Sequence, residues 1–134
     1  MHEVVVGALV REGRLLLAHR SSTRSAYADM WDLPGGHVEA GETELAALSR
    51  ELHEELGVQI AAASAAHLCR VEAGRGAQLL RLSAWLVHDW QGTPMNLAID
   101  EHDEIRWFRP EELPRLAHEV VAMALLEASG AEPR

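Results

Sequence analysis

The stretch TELAALSRELHEELGV, Thr43 to Val58, constrains the fold more than any other part of the chain. Thr43 suits a helix N-cap, and Glu44 puts an acid in the first turn, where the helix dipole favours one. Gly57 followed by Val58 has the form of a left-handed C-terminal cap with its apolar contact. At about 100° per residue, Leu45, Leu48, Leu52 and Leu56 fall in one sector and predict a buried stripe. Glu44, Glu51, Glu54 and Glu55 fall in the adjacent sector, roughly 110° away, with Ser49 and His53 on a third. The helix must therefore lie on an apolar surface, with its acids flanking that surface. Like charges three and four apart repel by about a few tenths of a kcal/mol per pair, so the crowding calls for a compensating partner.

The apolar surface is expected from strands. Val4 to Val10 is β-rich, and "REG" turns it into a second strand from Arg14 to His19, a hairpin. RSSTRSAYAD, Arg20 to Asp29, is polar and aperiodic, a loop of a length that is often functional. Trp31 to Pro34 reads as a short extended piece, because Pro34 biases Leu33 away from helix. HLCRVEA and AQLLRLSAWLVHDW read as two strands joined by the "GRG" turn. Leu80, Leu82, Ala84 and Leu86 alternate with Arg81, Ser83, Trp85 and Val87, so one face is core and the other mixed. "EIRWF" is a further short strand, and Pro110 and Pro114 each suit the first turn of a helical piece. A last helix is expected to run to about Ser129 and stop at Gly130, burying Leu116, Val120, Val121, Ala124 and Leu125. With no internal repeat or linker, residues 1–134 read as a single layered α/β domain.

A chain of 134 residues is large enough for a core without disulfides, and Cys69 is its sole cysteine, which points to a reducing compartment. The formal charge of −9 repels a nucleic-acid polymer, while a small phosphorylated ligand remains compatible if metal ions supply positive charge. No secretory leader pattern opens the sequence, and no apolar run approaches the roughly 18 residues of a membrane span. The expectation is a cytoplasmic protein with no membrane partner.

From Gly36 the spacing is five residues to Glu42, seven more to Arg50-Glu51-Leu52, then Glu54-Glu55 and Gly57-Val58 after single-residue gaps. This resembles the Nudix box, G-x5-E-x7-R-E-U-x-E-E-x-G-U with U aliphatic, at every defined position. With residue types near 5–7% each, seven such identities would coincide on the order of once in 10⁸ or fewer. The box spans Gly36 to Val58, and the strand order around it also looks like a Nudix domain of the MutT-like branch. The resemblance implies an α/β/α sandwich with a mixed β-sheet and a loop–helix–loop box.

The physics of the helix agrees. Glutamates at i, i+3 and i+4, here Glu51, Glu54 and Glu55, bring their oxygens within reach of a small metal cluster, and hard divalent cations such as Mg²⁺ bridge carboxylates to substrate phosphates. A bare E-x-x-E-E is most often a solvated acidic face; the flanking Gly35-Gly36 loop, Glu42 and Arg50 argue otherwise. Gly35 and Gly36 let backbone approach a ligand. Arg50, four before Glu54, can hold that carboxylate by an ion pair, and Glu42 is expected to support Arg50 or the loop. Gly57 supports the helix end.

The resemblance implies Mg²⁺-dependent hydrolysis, with Mn²⁺ as a substitute, of a nucleoside diphosphate linked to another group. It implies metal ligation by Glu51, Glu54, Glu55 and a carbonyl of the glycine pair, mapped to Gly35. The base differs among Nudix enzymes: Glu54 and Glu51 are candidates in the box, and DEHDE offers Glu101 or Glu104 as an extra ligand or base, Glu101 being favoured by its distance from Trp107. "WDLPGG" resembles the MutT-like approach to the box, so Asp32, Leu33, Pro34, Gly35 and Gly36 are expected to line a nucleotide pocket, with Arg20 and Arg24 gripping phosphates. Trp85, on the mixed face, is read as core packing ahead of stacking a base, Trp31 and Trp107 as structural, and the eight histidines, which show no metal spacing, as surface residues. The expected substrate is a small nucleotide, a canonical or oxidised (d)NTP that releases pyrophosphate. Nucleotide sugars, ADP-ribose and dinucleoside polyphosphates are the alternatives within the class, and a non-catalytic nucleotide-sensing module is the alternative outside it. Homodimers are frequent in the family, so pairing of two chains stays open.

Overall fold

Alternation in the first two strands sets the layering. In the computed structural model, which describes residues 2–24 and 26–129, β1 (His2–Arg11) and β2 (Arg14–Arg20) form a hairpin about Glu12 and Gly13. Both turn residues have positive φ, 52° and 75°, as a tight two-residue turn between twisted strands requires. Val5 and Leu9 of β1 and Leu16 of β2 enter one apolar cluster, while Val6 and Ala8 with Leu15 and Leu17 enter a second on the other side. A sheet apolar on both faces needs a covering layer on each.

The remaining elements supply those layers. They are β3 (Trp31–Asp32), β4 (Gly35–His37), α1 (Glu44–Leu56), β5 (Gln59–Ile60), β6 (Ala65–Ala73), β7 (Leu80–Val87), β8 (Trp90–Gln91), β9 (His102–Phe108) and α2 (Glu119–Ser129). The main sheet runs β3-β2-β1-β7-β6, with β4 also paired to β1 and β9 to β2. β1 and β7 are parallel and the other pairs antiparallel, so the sheet is mixed. α1 lays Ala47, Leu48, Leu52 and Leu56 on Val5, Leu9, Leu16 and Val87, and α2 lays Val121 and Leu125 on the opposite face. The architecture is the expected α/β/α sandwich.

The fit of α1 to the sheet is close. Leu48, Leu52 and Leu56 are fully buried, each such side chain contributing about 1.5–3 kcal/mol. A Cβ at Gly7 would lie 3.0 Å from Leu48 Cδ1, so the glycine lets the helix seat on β1. The face of β7 that reads as mixed is the one α1 covers: Val87 and Ser83 are buried there, and the Trp85 indole N–H donates to Glu44 at 3.1 Å. Trp85 is thus a packed residue.

Three expectations need correction. Gly35 and Gly36 belong to a strand, with Gly35 opposite Val6 and Gly36 opposite Val5. The last helix begins later than its apolar run: Leu116 is buried but lies ahead of α2, in a bridge to Trp31. Pro110 opens a 3₁₀ turn as expected, whereas Pro114 begins no helical piece. Val121 and Leu125, at i and i+4, face the sheet, which turns Val120 about 100° away and leaves it 55% exposed. The stop expected at Gly130 lies outside the described residues. Among those residues no helix is long and apolar enough to cross a membrane.

This phase predicts unequal costs for neighbouring truncations. Leu125→Ala should lower unfolding free energy in urea by about 2–5 kcal/mol, and Val120→Ala should stay within about 0.5 kcal/mol of wild type.

Candidate active site

The helix that carries the acids is fixed at both ends. Thr43 Oγ1 accepts from the Ala46 N–H at 3.1 Å, and Gly57, at φ 73°, closes the last turn by donating to the His53 carbonyl. The three acids then meet different surroundings. Glu55 is 3% exposed, Glu51 is largely covered, and the Glu54 side chain is 58% exposed. The flanking position expected of them is correct, but they are graded from interior to solvent along one edge.

β4 explains the glycine pair. A Cβ on Gly36 would stand 2.4 Å from Glu51 Cδ, so the Glu51 carboxylate occupies the space that a side chain would take. A Cβ on Gly35, at φ 152°, would lie 2.1 Å from the Val5 carbonyl oxygen. One glycine therefore makes room for an acid and the other for the neighbouring strand.

Arg50 joins these parts. Its Nε and Nη2 donate to the two oxygens of Glu42 at 3.0 and 2.9 Å, Nη1 donates to Glu51 Oε1 at 2.9 Å, and Nη2 also donates to the His37 carbonyl at 3.0 Å. Glu42 accepts in addition from the Glu39 N–H at 2.9 Å. The Arg50 hydrogen bonds and the Glu39 N–H hold the Glu42 carboxyl down to about 2. The expected ion pair with Glu54 is present at 3.7 Å, but without a hydrogen bond. The guanidinium thus holds Glu51 and the preceding loop, and only flanks Glu54.

The segment between β8 and β9 closes the other side. Met95 and Leu97 donate their N–H groups to the Leu56 and Glu55 carbonyls at 3.0 and 2.8 Å, satisfying carbonyls in the last turn of α1. This contact brings Glu101 and His102 to Glu55. His102 is 6% exposed, with Nδ1 3.7 Å from Glu55 Oε1. The expectation that the histidines lie at the surface fails here. No periodicity flags His102, because the β2–β9 register shifts between His19 and Arg20, opposite this point. Burial pushes the Glu55 carboxyl up to about 9, the Glu101 and Glu51 carboxylates add to the rise, and the Gly35 N–H opposes it. Burial lowers the His102 imidazole.

Around this centre, Arg24 Nη1 donates to Glu101 Oε1 at 3.0 Å, and Arg20 donates to the Ala26 carbonyl and lies 3.8 Å from Asp32 Oδ2. Asp32 is buried, accepts from the Leu33 N–H at 2.8 Å, and is raised by burial. Leu33 and Pro34 pack into the core and offer almost no side-chain surface; the Pro34 carbonyl accepts from the Gly7 N–H. Glu104 pairs with Arg106, on β9 beyond Glu101. A grouping that linear spacing does not reveal is His19, Asp29 and Asp103, whose ligand atoms lie within 4.8 Å of one another. Both His19 ring nitrogens are already engaged, with Asp103 Oδ1 at 2.7 Å and the Asp29 carbonyl at 3.0 Å.

The donor set suits a hard divalent cation. Glu55 Oε2 is buried with no hydrogen-bond partner, an arrangement that is costly for a carboxyl unless something else satisfies it. Oxygen-only donors on one helix edge, one of them partnerless, match what Mg²⁺-like ions take up.

A mixed sheet between two helices, with this glycine, glutamate and arginine frame, defines a Nudix hydrolase: the NUDIX domain model matches residues 1–126, and the chain belongs to that family. Across 130 residues it is 38% identical to the CTP pyrophosphohydrolase of Escherichia coli (strain K12), covering 96% of this chain and 90% of that one. It is 30% identical over 119 residues to the nucleoside triphosphatase NudI of Salmonella newport (strain SL254), with 82% and 83% covered. The crystal structure of a MutT NUDIX hydrolase from Burkholderia pseudomallei superposes with a TM-score of 0.81 at 32% identity, covering 92% and 95% of the two chains.

Two outcomes are expected from this geometry. Gly36→Ala should displace the Glu51 carboxylate and reduce turnover by about 10²-fold, while circular dichroism stays native. In metal-free protein, folded Glu55 keeps a proton up to about pH 9 that the unfolded chain releases near its ordinary 4.5. That contribution to stability is complete below the lower value and is lost as pH rises through the upper one. The melting temperature in EDTA should therefore fall between these limits, and Glu55→Gln should flatten the fall.

Proposed function

We propose that residues 1–134 form a single Nudix hydrolase domain that hydrolyses nucleoside triphosphates with Mg²⁺, converting a canonical or oxidised (d)NTP to the monophosphate and pyrophosphate. The observation that carries this reading is the buried, partnerless Glu55 Oε2, beside Glu51 and on the helix that Arg50 and Glu42 hold in place. The substrate class draws support from relatives matched over most of their length, named as a CTP pyrophosphohydrolase and a nucleoside triphosphatase. Nucleoside triphosphates, with CTP first, therefore come ahead of nucleotide sugars, ADP-ribose and dinucleoside polyphosphates.

Glu51, Glu54, Glu55 and the Gly35 carbonyl would hold the cation. When bound, a divalent ion neutralises phosphate charge and polarises the phosphoryl oxygens. Mg²⁺ fits an all-oxygen set, and Mn²⁺ substitutes in the same donors. Glu54, the exposed member with Arg50 3.7 Å away, takes the proton from the attacking water as the water oxygen bonds to phosphorus and the anhydride oxygen leaves with pyrophosphate. Arg50 acts through Glu51 by fixing its position. Arg24 exchanges Glu101 for a substrate phosphate, which frees Glu101 as a further ligand or second base, and Arg20 adds positive charge nearby. The net charge of −9 disfavours a nucleic-acid polymer, and the single cysteine supports a reducing compartment such as the cytoplasm.

The test is a hydrolysis panel with Mg²⁺ over (d)NTPs, 8-oxo-dGTP, ADP-ribose, nucleotide sugars and dinucleoside polyphosphates, with wild type, Glu54→Gln and Glu55→Gln. Wild type should release pyrophosphate from a triphosphate, and each variant should lose about 10²-fold or more in kcat. Turnover confined to a sugar or dinucleotide would overturn the substrate. Nucleotide binding without any turnover would instead support a sensing module.

A further inference from the structure

We infer that His102 is a positioning residue for the metal-binding carboxylate: its Nδ1–H donates to Glu55 Oε1 and so turns Glu55 Oε2 toward a bound divalent cation. The inference rests on the reading of Glu55 as a metal ligand and extends it to a residue outside the box.

Three buried polar atoms without a hydrogen-bond partner belong to this neighbourhood: Glu55 Oε2, His102 Nδ1 and Asn96 Oδ1. Buried polar groups are nearly always paired, so orphans on two elements that touch each other mark a site completed by something else. The imidazole is aimed by the backbone that carries it. The His102 N–H donates to the Ala98 carbonyl at 2.9 Å, and the His102 carbonyl accepts from Asn96 Nδ2 at 2.8 Å. Next to Asn96, the Leu97 N–H donates to the Glu55 carbonyl at 2.8 Å. The segment presenting His102 is therefore anchored to the residue whose side chain the ring faces.

The separation favours a conditional contact. Nδ1 and Glu55 Oε1 are 3.7 Å apart, so a closing of about 0.5–1 Å makes a normal N–H···O bond. Direct ligation by His102 suits a hard cation less well, because Mg²⁺ prefers oxygen donors. A ligand carboxylate steadied by a second hydrogen bond is how such sites orient their donors, and removing that support typically costs about 10–100-fold in metal affinity.

The decisive experiment measures Mn²⁺ dissociation constants by electron paramagnetic resonance, without nucleotide, for wild type, Glu55→Gln, His102→Leu and His102→Asn. The Asn side chain returns an N–H donor near the Nδ1 position; Leu fills the space without one. His102→Leu should weaken Mn²⁺ binding about tenfold or more, and His102→Asn should recover most of it. In wild type, imidazole ¹⁵N spectra with Mg²⁺ should show a proton on Nδ1, a readout that needs no variant to fold. Unchanged affinity in a folded His102→Leu, equal loss in both His102 variants, or an unprotonated Nδ1 would overturn the inference while leaving Glu55 as a ligand. Wild-type affinity in Glu55→Gln, or no Mn²⁺ binding in wild type, would overturn both readings.

Discussion

The two-point pair between Arg50 and Glu42 is the constraint on which the site depends. A guanidinium has a rigid set of donors, and here they reach the loop at Glu42, the strand end at His37 and the helix at Glu51. An exposed ion pair contributes little by itself. Its value here is geometric, because a strand, a loop and a helix meet at one planar group that cannot rotate away from any of them. Glu51 is then confined between Arg50 and the space left open by Gly36. The same arginine offsets part of the repulsion that crowded acids would otherwise suffer.

Glu55 depends on the frame in a different way. It sits where the apolar stripe of α1 meets its acidic edge, so packing Leu48, Leu52 and Leu56 draws the carboxyl inward with them. Burying an acid without a partner is unfavourable. The core supplies the energy that keeps it there, and the surrounding acids raise its proton affinity further. A cation entering this edge competes with a proton and meets donors already in place. Preorganisation of that kind is gained at the expense of the metal-free protein's stability.

The box and its helix were legible because they rest on local chemistry: an N-cap, a left-handed glycine cap and a 3.6-residue period all agree over Thr43 to Gly57. The hairpin at Glu12-Gly13 was legible for the same reason, whereas the covering of both sheet faces followed only from the family resemblance. What escaped depends on tertiary pairing. Gly35 and Gly36 carry no side chain to report a strand, and their pairing with β1 is decided by Val5 and Val6, thirty residues earlier. Val120 and Val121 are indistinguishable by composition, and only the late start of α2 sets which one faces the sheet. His102 lies at a register shift, where alternation stops predicting direction.

Charge explains why the metal edge and the basic loop must act together. With a net charge of −9 the chain repels a triphosphate at long range, and its nearest arginines are already committed, Arg20 toward Asp32 and Arg24 to Glu101. Neither offers a free cation until its carboxylate finds another partner. A divalent ion at the helix edge would provide that partner for the α1 acids and for Glu101, which is close enough to affect Glu55. Under the proposed mechanism, metal uptake would lower the local negative charge and loosen the hold of Glu101 on Arg24. The arginine would then become available to phosphate only when the cations that phosphate requires are in place. On this logic an acidic protein built in the proposed way would discriminate against free polyanions and accept a phosphate chain that arrives with its metal.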